Sequence, residues 1–237
     1  MPRPNFLPLR VDRRVHAVAQ RIAETYSATA MVVSSSENIR YLTGFTGSAG
    51  VLICRKDDSV LVTDGRYVEQ ALAQVRDSGA EVRIVEARTA AATLEAVASE
   101  LTLNAKCVCE ASDLSVETHA RYVAALNADL LPVSGVVEEL RRTKSEAEVQ
   151  RIAFAAETAD SALAEVRDLL VRSMSELITE RDVRDELEYR MRRHGADGPS
   201  YETIVAAGNN AARPHHRPTD QPIREGDCVV IDVGGLV

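Results

Sequence analysis

Arg213-Pro214-His215-His216-Arg217-Pro218-Thr219-Asp220 is followed, after a short polar turn, by Cys228-Val229-Val230-Ile231-Asp232-Val233-Gly234-Gly235-Leu236-Val237. A histidine pair framed by prolines thus leads into an apolar run that carries one carboxylate. Strand alternation puts Val229, Ile231 and Val233 on one face and Val230 with Asp232 on the other. A carboxylate held within an apolar sheet needs a metal, a basic side chain or several N–H donors to meet it. The flanking prolines restrict the backbone at His215, which suits an imidazole that must point one way. His215 can act as a general base, as a hydrogen-bond donor to an oxyanion or as a ligand. The plain alternative is an exposed basic loop tip, and the same choice stands for His216. Asp232 can equally be a strand-end aspartate hydrogen-bonded into a turn at Gly234-Gly235. A single carboxylate does not hold a catalytic metal, because such sites use at least three protein ligands. No H-E-x-x-H or comparable cluster stands upstream.

Working outward from this stretch, Tyr201–Ala207 and Asp227–Val233 read as two strands joined by the histidine loop. Thr179 opens a helix with Val183, Leu187 and Met191 on one face. Ser145 and Glu148 form a capping box. It precedes a long helix on which Val149, Ile152, Ala156, Ala159, Leu163, Val166 and Leu170 follow 3-4 spacing. Residues 135–237 therefore form a second unit of helix, helix, strand, loop and strand. Its last apolar strand has no partner on the far side, an edge that natural domains avoid. The unit reads as incomplete, or as one closed by a partner chain.

Residues 1–134 show a different texture. Val11, Val15, Val18 and Ile22 predict a helix over about 10–25. Ala30–Val33 reads as a strand, and Ser36–Ser48 as a polar loop punctuated by glycine. Gly50–Cys54 and Ser59–Thr63 read as a hairpin, and Val68, Leu72 and Val75 as one face of a helix ending near Gly79. Strands at 81–85, 105–109 and 129–133 then alternate with helices at 91–101 and 115–126. This alternation predicts crossover units and a mixed or mostly parallel sheet. The fold class is α/β for the first unit and α+β for the second.

Composition narrows the function classes. A formal net charge of −8 argues against a general nucleic-acid or anionic-membrane binder. Aromatics are sparse and Trp is absent, which weakens any single-strand stacking role. Cys54, Cys107, Cys109 and Cys228 include no C-x-x-C pair and read as buried reduced thiols. No apolar run approaches the roughly 20 residues of a membrane span. The start, Met1-Pro2-Arg3-Pro4, lacks the apolar core of a signal peptide. A soluble cytoplasmic protein is the expectation.

Taken in order, several segments resemble the creatinase/aminopeptidase P/prolidase group of pita-bread metallopeptidases, family M24. Glu37–Ser48 and Thr63-Asp64-Gly65-Arg66-Tyr67 are similar to two segments of the creatinase-type N-terminal domain. Leu140–Glu148 is similar to the entry into the catalytic domain. Thr179–Val183, Ser200–Val205, Gly208–His215 and Gly226–Gly234 continue that resemblance. It implies a creatinase-like N-terminal domain at 1–134 and the first part of a pita-bread catalytic domain at 135–237. It further implies an Xaa-Pro aminopeptidase or dipeptidase that uses a pair of divalent ions, manganese by preference, and a bridging hydroxide. By the same resemblance Asp232 matches the first of five metal ligands. The other four belong past Val237, so this chain alone is expected to be inactive. His215 matches the histidine that hydrogen-bonds substrate or intermediate. His216 stands where many members carry glycine and is a candidate substrate contact. Members commonly dimerise, which makes Arg40 and Tyr41 candidate contacts to the substrate of a partner subunit. The partner classes are thus a proline-containing peptide and a second copy of the chain, with no nucleic acid and no membrane. Two alternatives share the fold: a metal-free creatinase-type hydrolase and a non-enzymatic peptide- or protein-binding module.

Overall fold

The β-branched residues of Ala30–Val33 (β1) pair with Gly50–Arg55 (β2) in antiparallel register, Met31 opposite Cys54. The computed structural model describes residues 3–101, 105–126, 129–173 and 175–237, so Met1 and Pro2 of the quoted N-terminus lie outside them. β2 turns back through Asp58, at φ 51°, into Ser59–Thr63 (β3), completing the expected hairpin. Val82–Glu86 (β4), Lys106–Glu110 (β5) and Asp129–Val133 (β6) finish a six-stranded sheet in the order β4-β3-β2-β1-β5-β6. β3–β4, β1–β5 and β5–β6 run parallel, so the sheet is mixed.

The two-residue period of the strands divides the core between the sheet faces. Met31, Val33, Leu52 and Leu61 share one face with Val18 and Ile22 of Arg14–Tyr26 (α1) and Val75 of Val68–Ser78 (α3). Val32, Ile53, Val60 and Val62 face Val97 of Ala90–Glu100 (α4) and Tyr122 of Val116–Leu126 (α5). Cys54, Cys107 and Cys109 are buried and free, whereas Cys228 is free and exposed, unlike the expectation for it.

Ser36–Thr43 is a helix (α2) where a loop was expected. The Ser35 side chain accepts from the Asn38 amide, and Gly44 closes the helix at φ 77°. Its buried face mixes Ile39 and Leu42 with Asn38 and Thr43, so apolar periodicity alone does not reveal it. Val136–Arg141 forms a further short helix (α6), whose Val136 and Val137 enter the first core.

Packing divides the chain into Pro8–Lys144 and a second unit of Met1–Leu7 with Ser145–Val237. By packing, α6 belongs to the first core, so this division falls at Lys144. In the second unit Glu146–Arg172 (α7) and Glu180–Arg193 (α8) each begin with a capping box, Ser145 with Glu148 and Thr179 with Asp182. α8 buries Val183, Leu187 and Met191 as its spacing requires. α7 departs from the expected stripe: Val149 and Ile152 are exposed, and Phe154, Thr158, Ala159, Ala162 and Val166 are buried. The N-terminal arm explains part of this rotation. Phe6 meets Phe154 edge-on at 5.4 Å between centroids, and the Arg151 guanidinium lies over the Phe6 ring. The Leu7 amide donates to Gln150 Oε1, and Arg3 pairs with Asp197.

Ile204–Ala207 (β8) and Val229–Asp232 (β9) form an antiparallel pair, Ile204 opposite Asp232 and Ala207 opposite Val229. Val205 and Ala207 are buried against α8, and Val229 and Ile231 close over the same core. Gly198–Pro199 (β7) pairs with Gly235–Leu236 (β10). Among the described residues no helix is long and apolar enough to cross a membrane.

Candidate functional site

The strands β8 and β9 hold between them the segment that carries both histidines. It leaves β8 through a 3-10 turn, Gly208–Ala212, with Gly208 at φ 55° and its amide donating to the Cys228 carbonyl. The returning limb lies along the start of α8. Glu180 N donates to Gln221 O, Arg181 N to Thr219 O, and Ile223 N to Ile178 O.

Glu180 is the centre of this arrangement. It sits on the stripe of α8 that also carries Val183, Leu187 and Met191, and it is fully buried. Its Oε1 accepts from Ala207 N at 2.8 Å and Asn210 Nδ2 at 3.0 Å. Its Oε2 accepts from His216 Nε2 at 2.8 Å, Thr219 N at 2.9 Å and Thr219 Oγ1 at 2.8 Å. Burial alone would raise the carboxyl pKa, but these donors outweigh it and hold the group down to about 2. One ionised side chain therefore ties both ends of the histidine segment to α8. Outside it, Arg181 reaches both oxygens of Asp220 at 2.8 Å, an exposed pair that adds little.

The two histidines are placed oppositely. His216 is buried, its ring committed to Glu180. His215 is exposed and makes no side-chain hydrogen bond among the described residues, so its imidazole is available to a ligand. Asp232 lies at the far end of β9, on the exposed face with Val230, as the strand alternation requires. The expected burial cost of its charge does not arise, because that face is open. Three residue steps separate the Ala207–Val229 pair from Ile204–Asp232, about 10 Å of strand. Tyr201 donates its hydroxyl to Asp232 Oδ1 at 2.6 Å. That bond to an anion, with burial second, raises the phenol pKa to about 12.

Arg40 is exposed on α2. Tyr41 is half-buried: Arg14 stacks on its ring at 4.0 Å, and its hydroxyl donates to the Leu140 carbonyl. Neighbouring Asn38 belongs to a polar core of the first unit. It donates to Glu110 Oε1 and Glu138 Oε1 and accepts from Arg141. Glu110 also takes the amides of Ser34 and Ser35, yet burial keeps its pKa raised.

For a metal, the donor set does not suffice. Among the described residues no group of three or more His, Cys, Asp or Glu could hold an ion. Asp232 offers one carboxylate, and one of its oxygens already accepts from Tyr201. The sequence reading singled out neither Glu180 nor Tyr201 as a functional residue. A carboxylate in line with the apolar stripe Val183, Leu187 and Met191 is a readable signal for Glu180. Nothing comparable marks Tyr201.

Residues 14–143 match the model of the creatinase/prolidase N-terminal domain, and residues 150–237 that of metallopeptidase family M24. A similar curated protein is the uncharacterized peptidase YqhT of Bacillus subtilis, 37% identical over 210 residues. The match covers 86% of this chain and 56% of that protein. An Xaa-Pro dipeptidase of Pyrococcus horikoshii is 38% identical over 104 residues, 44% of this chain and 28% of its own. Among solved structures, an Xaa-Pro dipeptidase from Bacillus anthracis superposes with a TM-score of 0.83 at 28% identity, over 95% of this chain and 61% of that one. The prolidase from Pyrococcus horikoshii gives 0.80 at 25% identity, over 94% and 61%. The chain thus spans little more than half the length of the Bacillus subtilis relative.

Proposed function

The chain belongs to the M24 metallopeptidases with a creatinase/prolidase N-terminal domain, and from that membership we propose that the whole protein is an Xaa-Pro peptidase. It would cleave the bond before a proline, as an aminopeptidase or a dipeptidase. The observation that carries this reading is the single M24 match running through both His215 and Asp232. His215 is the residue proposed to hydrogen-bond substrate or intermediate. Its exposure, on a segment fixed from beneath by Glu180, supports that role. Asp232 is proposed as a ligand in a divalent metal site, with manganese the ion, since an oxygen-rich set favours hard ions. His216 is proposed to serve the substrate by holding His215 in place rather than by touching it. In a homodimer, Arg40 is the freer candidate for a substrate contact, because Tyr41 is held by Arg14 and Leu140. The buried free thiols fit a reducing, cytoplasmic setting.

With one matching carboxylate in hand, the 237 residues alone are proposed not to hydrolyse peptides. The test uses an Xaa-Pro dipeptide, an Xaa-Pro-Yaa tripeptide and a proline-free control, all with manganese added. The 237-residue chain should give no turnover. A chimera that adds the remaining C-terminal part of the Bacillus subtilis relative should cleave the proline substrates. His215→Ala in that chimera should lower kcat by about 10²–10³. Turnover near 10 s⁻¹ by the 237 residues alone would overturn the ligand-count argument. A folded chimera that prefers the proline-free control would overturn the Xaa-Pro assignment.

A further inference from the structure

A cavity of about 400 Å³ opens in the Pro8–Lys144 unit, on the sheet face covered by α4 and α5. That lies within the range of small-molecule sites, about 300–1,000 Å³. None of its lining residues belongs to the histidine segment or to β9. One wall is the first turn of α4, at Thr89, Ala90 and Thr93, and another is α5, at Arg121 and Tyr122.

Two features point to a ligand. Tyr122 is 5% exposed, yet its hydroxyl makes no hydrogen bond among the described residues. The hydroxyl oxygen is not among the fully buried unpaired atoms, so it reaches solvent, and at the cavity wall it can donate to a ligand oxygen in place of water. Burial raises the Tyr122 pKa, which keeps the group a proton donor. The second feature is charge. Asp64 is held by Arg66 at 2.6 Å and Arg88 by Glu86 at 2.7 Å, so those two pairs cancel. Arg121 has no acidic partner among the described residues. The N-terminus of α4, with no acidic residue in its first turn, adds partial positive charge on the same cavity. The remaining walls, among them Val51, Val62 and Leu94, are apolar.

We propose that this cavity binds a small monocarboxylate with an apolar body, of the size of an N-blocked amino acid. Its carboxylate meets Arg121, the Tyr122 hydroxyl and the first turn of α4, and its apolar part lies on Val51, Val62 and Leu94. One uncompensated cation matches a monoanion better than a dianion, and the apolar walls disfavour a bare inorganic ion.

Isothermal titration of the 237-residue chain with N-acetyl-leucine, N-acetyl-leucinamide and inorganic phosphate tests this. N-acetyl-leucine should bind saturably, with the amide and phosphate each weaker by about tenfold or more. Arg121→Gln should weaken N-acetyl-leucine about tenfold and Tyr122→Phe about threefold. Arg121 is exposed, so Arg121→Gln should leave the thermal midpoint unchanged. Lack of saturable binding, equal affinity for the amide, phosphate binding as tightly, or an inert Arg121→Gln would each overturn the proposal. No residue of the catalytic unit enters this experiment, so its outcome is independent of the peptidase assignment.

Discussion

His216 Nε2 donates to Glu180 Oε2 at 2.8 Å, with the histidine nearly buried and the glutamate wholly so. This bond makes one histidine of the pair a structural anchor and leaves its neighbour, His215, open to solvent.

Replacing Glu180 should loosen the histidine segment first. Glu180→Gln leaves some of five donors without an acceptor and should cost about 2–4 kcal/mol. The amides of Ala207 and Thr219, which donate to Glu180, should exchange with solvent faster than in the wild type. Unchanged exchange at both positions would refute the anchoring role.

The same residue sets an acid limb. The Glu180 pKa is depressed from 4.5 to about 2, so its contribution is fully present above pH 4.5. It is lost as pH falls towards 2, about 3 kcal/mol in total. Urea denaturation of the wild type between pH 5 and 2 should show this loss, and Glu180→Gln should flatten that part of the curve.

Tyr201 offers a spectroscopic reading of Asp232. The hydrogen bond that its phenol donates to the Asp232 carboxylate, more than burial or charge repulsion, raises its pKa to about 12. Asp232→Asn should lower that pKa towards about 10, visible in the tyrosinate absorbance. A tyrosinate curve unchanged by Asp232→Asn would sink the coupling.

In the N-terminal unit, Gly44 closes α2 at φ 77°, and a Cβ there would stand 2.8 Å from the Cβ of Ser78. Gly44→Ala therefore combines left-handed strain with a close contact and should lower stability by about 1–3 kcal/mol. Thermal denaturation measures it, with Gly135→Ala, where φ is also positive but no atom lies within 4 Å, as the strain-only comparison.

Much of the fold was legible wherever one physical signal acted alone. The hairpin at Gly50–Thr63, the Gly79 cap, the capping box of α7 and the start of α8 at Thr179 follow directly from residue type and spacing. α2 was hidden because half of its buried face is polar: Asn38 faces Glu110 and Thr43 turns back to the Ile39 carbonyl. The buried face of α7 was misplaced because Phe154 and Thr158 displaced Val149 and Ile152. The ring of Phe6, 148 residues away in sequence, is a partner that spacing does not reveal. At the site, strand alternation placed Asp232 on its face. The roles of His215 and His216 separated only once Glu180 was seen to claim one of them.

The arm from Arg3 to Leu7 carries a consequence for synthesis. Leu7 bonds Gln150 and Arg151, and Arg3 bonds Gly195, across sequence separations of 143, 144 and 192 residues. At about 5–20 residues per second, the arm waits roughly 7–30 s on the ribosome for the first of these partners, while the whole Pro8–Lys144 unit emerges and can fold between them. The later unit therefore cannot finish in the order of translation: it recruits a strip of chain made long before it. Any leader or affinity tag fused ahead of Arg3 travels with that strip and is delivered to the catalytic half of the molecule.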